Sequence, residues 1–78
     1  MERPHEFKVD TRTSDIIKVR HVTSGHRFTS HIWVQPLRRA LRAGWVQANM
    51  NSSMPSDMFK AGARAFAERE ARKAGLID

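Results

Sequence analysis

The residues of this chain best equipped for chemistry are cationic and aromatic, and most lie close together. Lys18, Arg20, Arg27, His31 and Trp33 fall within one stretch, IIKVRHVTSGHRFTSHIWV, from Ile16 to Val34, and Arg38, Arg39 and Arg42 follow it. Ammonium and guanidinium groups neutralise phosphates, while Trp and His rings offer π-faces on which bases stack. Between Ile16 and Ser56 there is no Asp or Glu to oppose these cations. Acidic and basic residues balance elsewhere, so the formal charge of +6 originates in this window. A charge concentrated in this way points to a polyanionic partner: DNA or RNA, or an acidic protein surface.

Other chemistries find less support. The histidines are His5, His21, His26 and His31. Strand alternation puts the first three on one apolar face and His31 on the other. Their spacing matches no zinc-ligand signature, and His21 fits between Phe7 and Phe28 as a histidine at the edge of the core. No metal site or cofactor is therefore assigned. The chain has no cysteine, no glycine-rich phosphate loop and no paired carboxylates. Ser24 or Ser30 beside His21 or His26 is a pairing that any serine-bearing hairpin would allow. A domain of this size also encloses little water-free volume. The chain is expected not to be an enzyme, with no catalytic residues.

The elements that must position the cationic set are legible as periodicities. Glu6 to Arg12 alternates, with Phe7, Val9 and Thr11 on one side, as in a half-buried strand. Thr13 to Asp15 is turn chemistry. Ile16 to Val22 alternates again, Ser24-Gly25 suits a two-residue hairpin turn, and His26 to Val34 sends Phe28, Ser30, Ile32 and Val34 to one face. This register pairs Ile17 with Ile32, Val19 with Ser30 and His21 with Phe28. A three-residue loop at Thr13 to Asp15 pairs Val9 with Val19 and Phe7 with His21. A two-residue loop there would set Asp10 beside Ile17. The opposite face then carries Lys18, Arg20, Arg27, His31 and Trp33, relieved by Glu6 and Asp10. Asp10 opposite Lys18 would be an ordinary cross-strand pair.

Two helices are expected to follow. Pro36 suits a first helical turn, and Leu37, Ala40, Leu41, Gly44, Trp45 and Ala48 share a helical face, predicting a helix to about Gln47. Arg38, Arg39 and Arg42 would then crowd its N-terminus, where the dipole disfavours cations and an anion would be welcome. After a polar linker at Asn49 to Ser53, Ser53 or Ser56 is placed to cap a second helix over Met58 to Ala74. Gly75 is its natural stop, and Leu76 and Ile77 are able to fold back on the core.

The fold class expected is α+β: a three-stranded antiparallel meander followed by two helices packed on one sheet face, β-β-β-α-α. Residues 1–78 are expected to form one small domain, with 1–5 and 77–78 as candidate disordered termini. Such a domain buries about 60% of its unfolded surface. The expected function is nucleic-acid binding through Lys18, Arg20, Arg27, His31, Trp33, Arg38, Arg39 and Arg42. The alternative is a small phage- or mobile-element-type regulator or inhibitor that docks on an acidic host protein. Strands 1 and 3 would be sheet edges, and the uncharged FTSHIWV segment would permit a homodimer. No apolar run approaches a membrane span, and the chain is expected to be cytoplasmic.

Overall fold

A computed structural model describes residues 6–78. The elements are strands β1 (Phe7–Arg12), β2 (Ile16–His21), β3 (Arg27–Val34) and β4 (Arg39–Gln47), a 3-10 turn (Ser56–Phe59) and helix α1 (Lys60–Lys73). The strands form one antiparallel sheet in the order β1-β2-β3-β4. The class is α+β, with a four-stranded sheet and one helix among the described residues.

The expected first helix is a strand. Pro36 and Leu37 occupy a tight turn in which the Gln35 N–H donates to the Arg38 carbonyl at 2.8 Å. Proline's fixed φ serves this turn as readily as a helix start. Leu37, assigned to a buried helical face, stands 96% exposed at the tip. The missing strand alternation has a cause in β4. Phe28 pairs with Val46 but Ser30 with Ala43, so β4 carries one extra residue in a bulge at Gly44-Trp45. Core-facing Leu41 and Val46 are thereby spaced by five, which breaks the strand alternation that would have identified β4. Pairing along the free edge of β3 outweighs that local pattern.

The second hairpin keeps the expected faces while changing partners, whereas in the first the faces of Thr11 and Arg12 are exchanged. Thr11, expected beside Phe7 and Val9, lies opposite Lys18, and Arg12 lies opposite Ile17. The first closes in two residues, with the Thr13 N–H on the Ile16 carbonyl and Arg12 opposite Ile17. A bulge at Asp10 restores the pairing of Val9 with Val19 and Phe7 with His21. In the second hairpin Ile17 pairs with Ser30 and Val19 with Phe28, a shift of two residues that reverses no side chain. His21 and His26 close it around Val22 to Gly25.

Helix α1 lies on the inner sheet face. Its Ala63, Ala67 and Ala71, with Phe59 before it and Ile77 after it, pack on Phe7, Ile17, Val19, Phe28 and Leu41. Small side chains let the helix approach the sheet closely. The expected serine cap is not made: Phe59 holds the N-cap position without a side-chain hydrogen bond. The end does follow the sequence. Gly75, at φ 74°, takes the left-handed position, with Gly75 N–H on the Arg72 carbonyl and Leu76 N–H on the Ala71 carbonyl.

Candidate nucleic-acid interface

No element among the described residues covers the other, outer sheet face, and the cationic set divides across it. Lys18, Arg20, Arg27, His31, Trp33 and Arg42 share this face. Lys18 pairs with Thr29, Arg20 with Arg27, and His31 with both Ile16 and Arg42. From Arg27 to Trp33 the set extends for about 20 Å along β3.

The face has two chemically different ends. At one, Asp10 projects from the β1 bulge between two arginines, with Oδ2 3.0 Å from Arg27 Nε and Oδ1 3.7 Å from Arg20 Nε. The expected Asp10–Lys18 pair is not formed, because the bulge places Thr11 opposite Lys18 and aims the carboxylate at Arg20 and Arg27. At the other end, the Arg42 guanidinium lies 4.6 Å from the centroid of the Trp33 ring, within cation–π range. Trp33 is 46% exposed there. His31, Ile32, Trp33, Arg42, Ala43 and Gly44 line a shallow depression of about 400 Å³.

Gly44 allows that depression to form. A Cβ at this position would stand 2.7 Å from the Thr29 carbonyl oxygen and 2.9 Å from the His31 ring. The imidazole therefore rests close over the bare backbone of Gly44. The sequence held a trace of this requirement: a lone glycine amid strand-forming residues marks a bulge or a close approach.

Arg38 and Arg39 are not part of this surface. The expected anion site at a helix start is overturned, because β4 offers no helical N–H groups or dipole. Arg39 turns to the chain's last residues instead. Its Nη1 donates to the Gly75 carbonyl at 2.8 Å and its Nη2 to Asp78 Oδ1 at 3.2 Å. The Arg39 N–H donates to Asp78 Oδ2 at 2.9 Å, and the Asp78 N–H donates to the Arg39 carbonyl at 3.2 Å. The hydrogen bonds from the Arg39 backbone and guanidinium hold the Asp78 carboxyl below the usual aspartate range. Arg38 is exposed beside the Pro36-Leu37 turn and has no ion-pair partner among the described residues.

The same contacts bear on edge pairing. Strand β3, expected at an edge, is interior, since β4 pairs along it. The outer edge of β4 is occupied at Arg39 by Asp78, and at Leu41 its carbonyl accepts from Arg64 Nη2 at 3.3 Å. Beyond that comes the bulge, a common protection for an exposed strand edge.

The buried histidines are structural. His21 is fully buried, stacked on Phe59 at 3.8 Å, and its Nδ1 lies 2.6 Å from the Ser24 hydroxyl. His26 donates from Nε2 to the Met54 carbonyl at 2.6 Å and accepts the Asn49 N–H on Nδ1 at 2.9 Å. His5, the third member of the histidine set considered above, lies outside the described residues. No group of three or more His, Cys, Asp or Glu among the described residues is arranged to hold a metal ion.

A residue missed in the sequence is Trp45. It is 70% exposed beside a cleft of about 350 Å³ between the β4 bulge and the first turn of α1. No described helix is long and apolar enough to cross a membrane. No protein-family model, no curated protein and no solved structure matches the chain.

Proposed function

We propose that this is a small nucleic-acid-binding protein whose outer sheet face carries the site. The observation that carries the reading is the end formed by His31, Trp33 and Arg42. There a half-exposed indole, an imidazole and a guanidinium lie side by side on an uncovered sheet. Aromatic faces on a basic sheet stack unpaired bases, whereas paired bases hide theirs within the duplex. Lys18, Arg20, Arg27 and Arg42 then track the phosphates, which favours single-stranded DNA or RNA.

The test is affinity for a short single strand as a function of salt. With four or five phosphates contacted, log Kobs falls against log salt with a slope of about −3 to −3.5. Affinity that does not depend on salt, or no binding at low salt, refutes the reading.

A second reading is favoured by the β3–β4 hairpin tip. Val34 is 70% exposed and Leu37 96% exposed, next to Trp33. A rim of this kind suits a protein partner with an acidic, partly apolar surface, as a regulator or inhibitor would require. Co-purification of a stoichiometric protein, rather than nucleic acid released by salt, would select it.

A further inference from the structure

The Arg20–Arg27 end of the outer face opens into a cleft of about 530 Å³ where the β2–β3 loop meets the segment after β4. Besides the two arginines its lining includes Gly25, Gln47, Asn49 and Asn51. One wall is fixed by hydrogen bonds. The Asn49 side-chain amide donates to the Ser24 carbonyl at 2.9 Å, and the Asn49 N–H is held by His26. Asn49 Oδ1 accepts the Asn51 N–H at 3.1 Å. The cleft is therefore lined by two guanidinium side chains and a hydrogen-bonded polar wall, without a large apolar side chain beyond Met50.

The two arginines are unequally satisfied. Asp10 lies 3.0 Å from Arg27 Nε as a close ion pair, but at 3.7 Å from Arg20 Nε it is beyond hydrogen-bond reach. Arg20 Nε is shielded from solvent and has no hydrogen-bond partner among the described residues. A shielded donor without an acceptor is costly, and one carboxylate cannot serve both guanidinium groups in this geometry. A phosphate presents more acceptor oxygens in a tetrahedral array that matches guanidinium forks.

We propose that this cleft is a phosphate-binding subsite and that Asp10 is its built-in counter-ion, displaced when a phosphate enters. This rests on the nucleic-acid reading for the identity of the ligand, a backbone phosphodiester, but the anion chemistry is the same for a free phosphate. The β1 bulge is the structural device that makes it work. It takes Asp10 out of register with Lys18 and points it at the arginine pair. The carboxylate keeps the two cations ordered and weakens the hold on any single phosphate, so that productive binding requires the aromatic end as well.

The test compares wild type, Asp10→Asn and Asp10→Ser, each also in an Arg20→Ala/Arg27→Ala background, in two arms. One arm measures affinity for an oligothymidylate across salt. The other titrates inorganic pyrophosphate and follows the arginine Nε–H signals by NMR. Removing the carboxylate is expected to tighten oligonucleotide binding roughly three- to tenfold and steepen the salt slope by about 0.7. It should also lower the pyrophosphate concentration at which the Arg20 and Arg27 signals move. Both gains should vanish in the double-alanine background. A gain in both arms, or with the oligonucleotide alone, supports the subsite. A gain with pyrophosphate alone supports the subsite and removes the nucleic-acid reading. Equal behaviour of wild type and both Asp10 variants in both arms, or a gain that survives loss of the arginines, overturns the proposal.

Discussion

The two ends of the outer sheet face are built from similar cations to different effect. At the Arg20–Arg27 end, charge is opposed by Asp10 and backed by a hydrogen-bonded wall running through Asn49 and His26. At the His31–Trp33–Arg42 end, the guanidinium lies on an indole instead of a carboxylate. An ion pair orders a cation by neutralising it, whereas a π-face orders it and leaves its charge available to a ligand. On the proposed function the two ends would do different work, stacking at the aromatic end and salt-dependent phosphate contact at the acid-clamped end.

The strongest way to break this contrast is to destroy the aromatic end from beneath. Gly44→Val drives a branched side chain against the Thr29 carbonyl and the His31 ring. It is expected to destabilise the fold by about 1–3 kcal/mol, read by denaturant unfolding, and to abolish stacking affinity. Trp33→Ala separates the two effects. The ring is half exposed, so stability should change little, while binding to a single strand weakens by about 1–3 kcal/mol if one base stacks on it. Titration calorimetry at fixed salt measures this, and an unchanged affinity would assign Trp33 to another surface. Arg27→Ala probes the other end. Its charge is already partly met by Asp10, so affinity should fall only modestly and the salt slope should become less steep by about 0.7.

Much of this contrast was legible in the sequence. Alternation of Ile17, Val19, Phe28 and Ile32 against Lys18, Arg20, Arg27, His31 and Trp33 assigned the faces of β2 and β3 correctly. A shift of two residues in pairing preserves them. What escaped was β4. A bulge at Gly44-Trp45 interrupts its alternation, and Pro36 fits a tight turn as well as a helix start, so local pattern could not tell strand from helix. Read as a helix, this segment groups Arg38, Arg39 and Arg42 as one cluster. A strand instead sends Arg39 to Asp78 on one side and Arg42 to Trp33 on the other. The pairing of Asp10 with Arg20 and Arg27 was equally hidden, since it depends on a second bulge that shifts one residue out of register.

The Arg39–Asp78 contacts lie outside both ends and serve the edge of β4. Because the folded state lowers the Asp78 pKa, its carboxylate contributes stability above the ordinary aspartate pKa. That contribution is lost as pH falls through the lowered value. Asp78→Asn should therefore reduce the protection of the amides of Arg39 and residue 78 near neutral pH, remove the loss of that protection on acidification, and leave nucleic-acid affinity unchanged. A large change in affinity would return Arg39 to the binding surface.

Amide chemical-shift mapping with a short single-stranded oligonucleotide at low salt shows whether the outer sheet face is the binding surface. Shifts are expected only at Ile16, Lys18, Arg20, Arg27, Thr29, His31, Trp33, Arg42 and Gly44, with Ala63, Ala67 and Ala71 of the packed helix unmoved. Shifts centred on α1 or on the cleft beside Trp45, or none at all, would contradict that expectation.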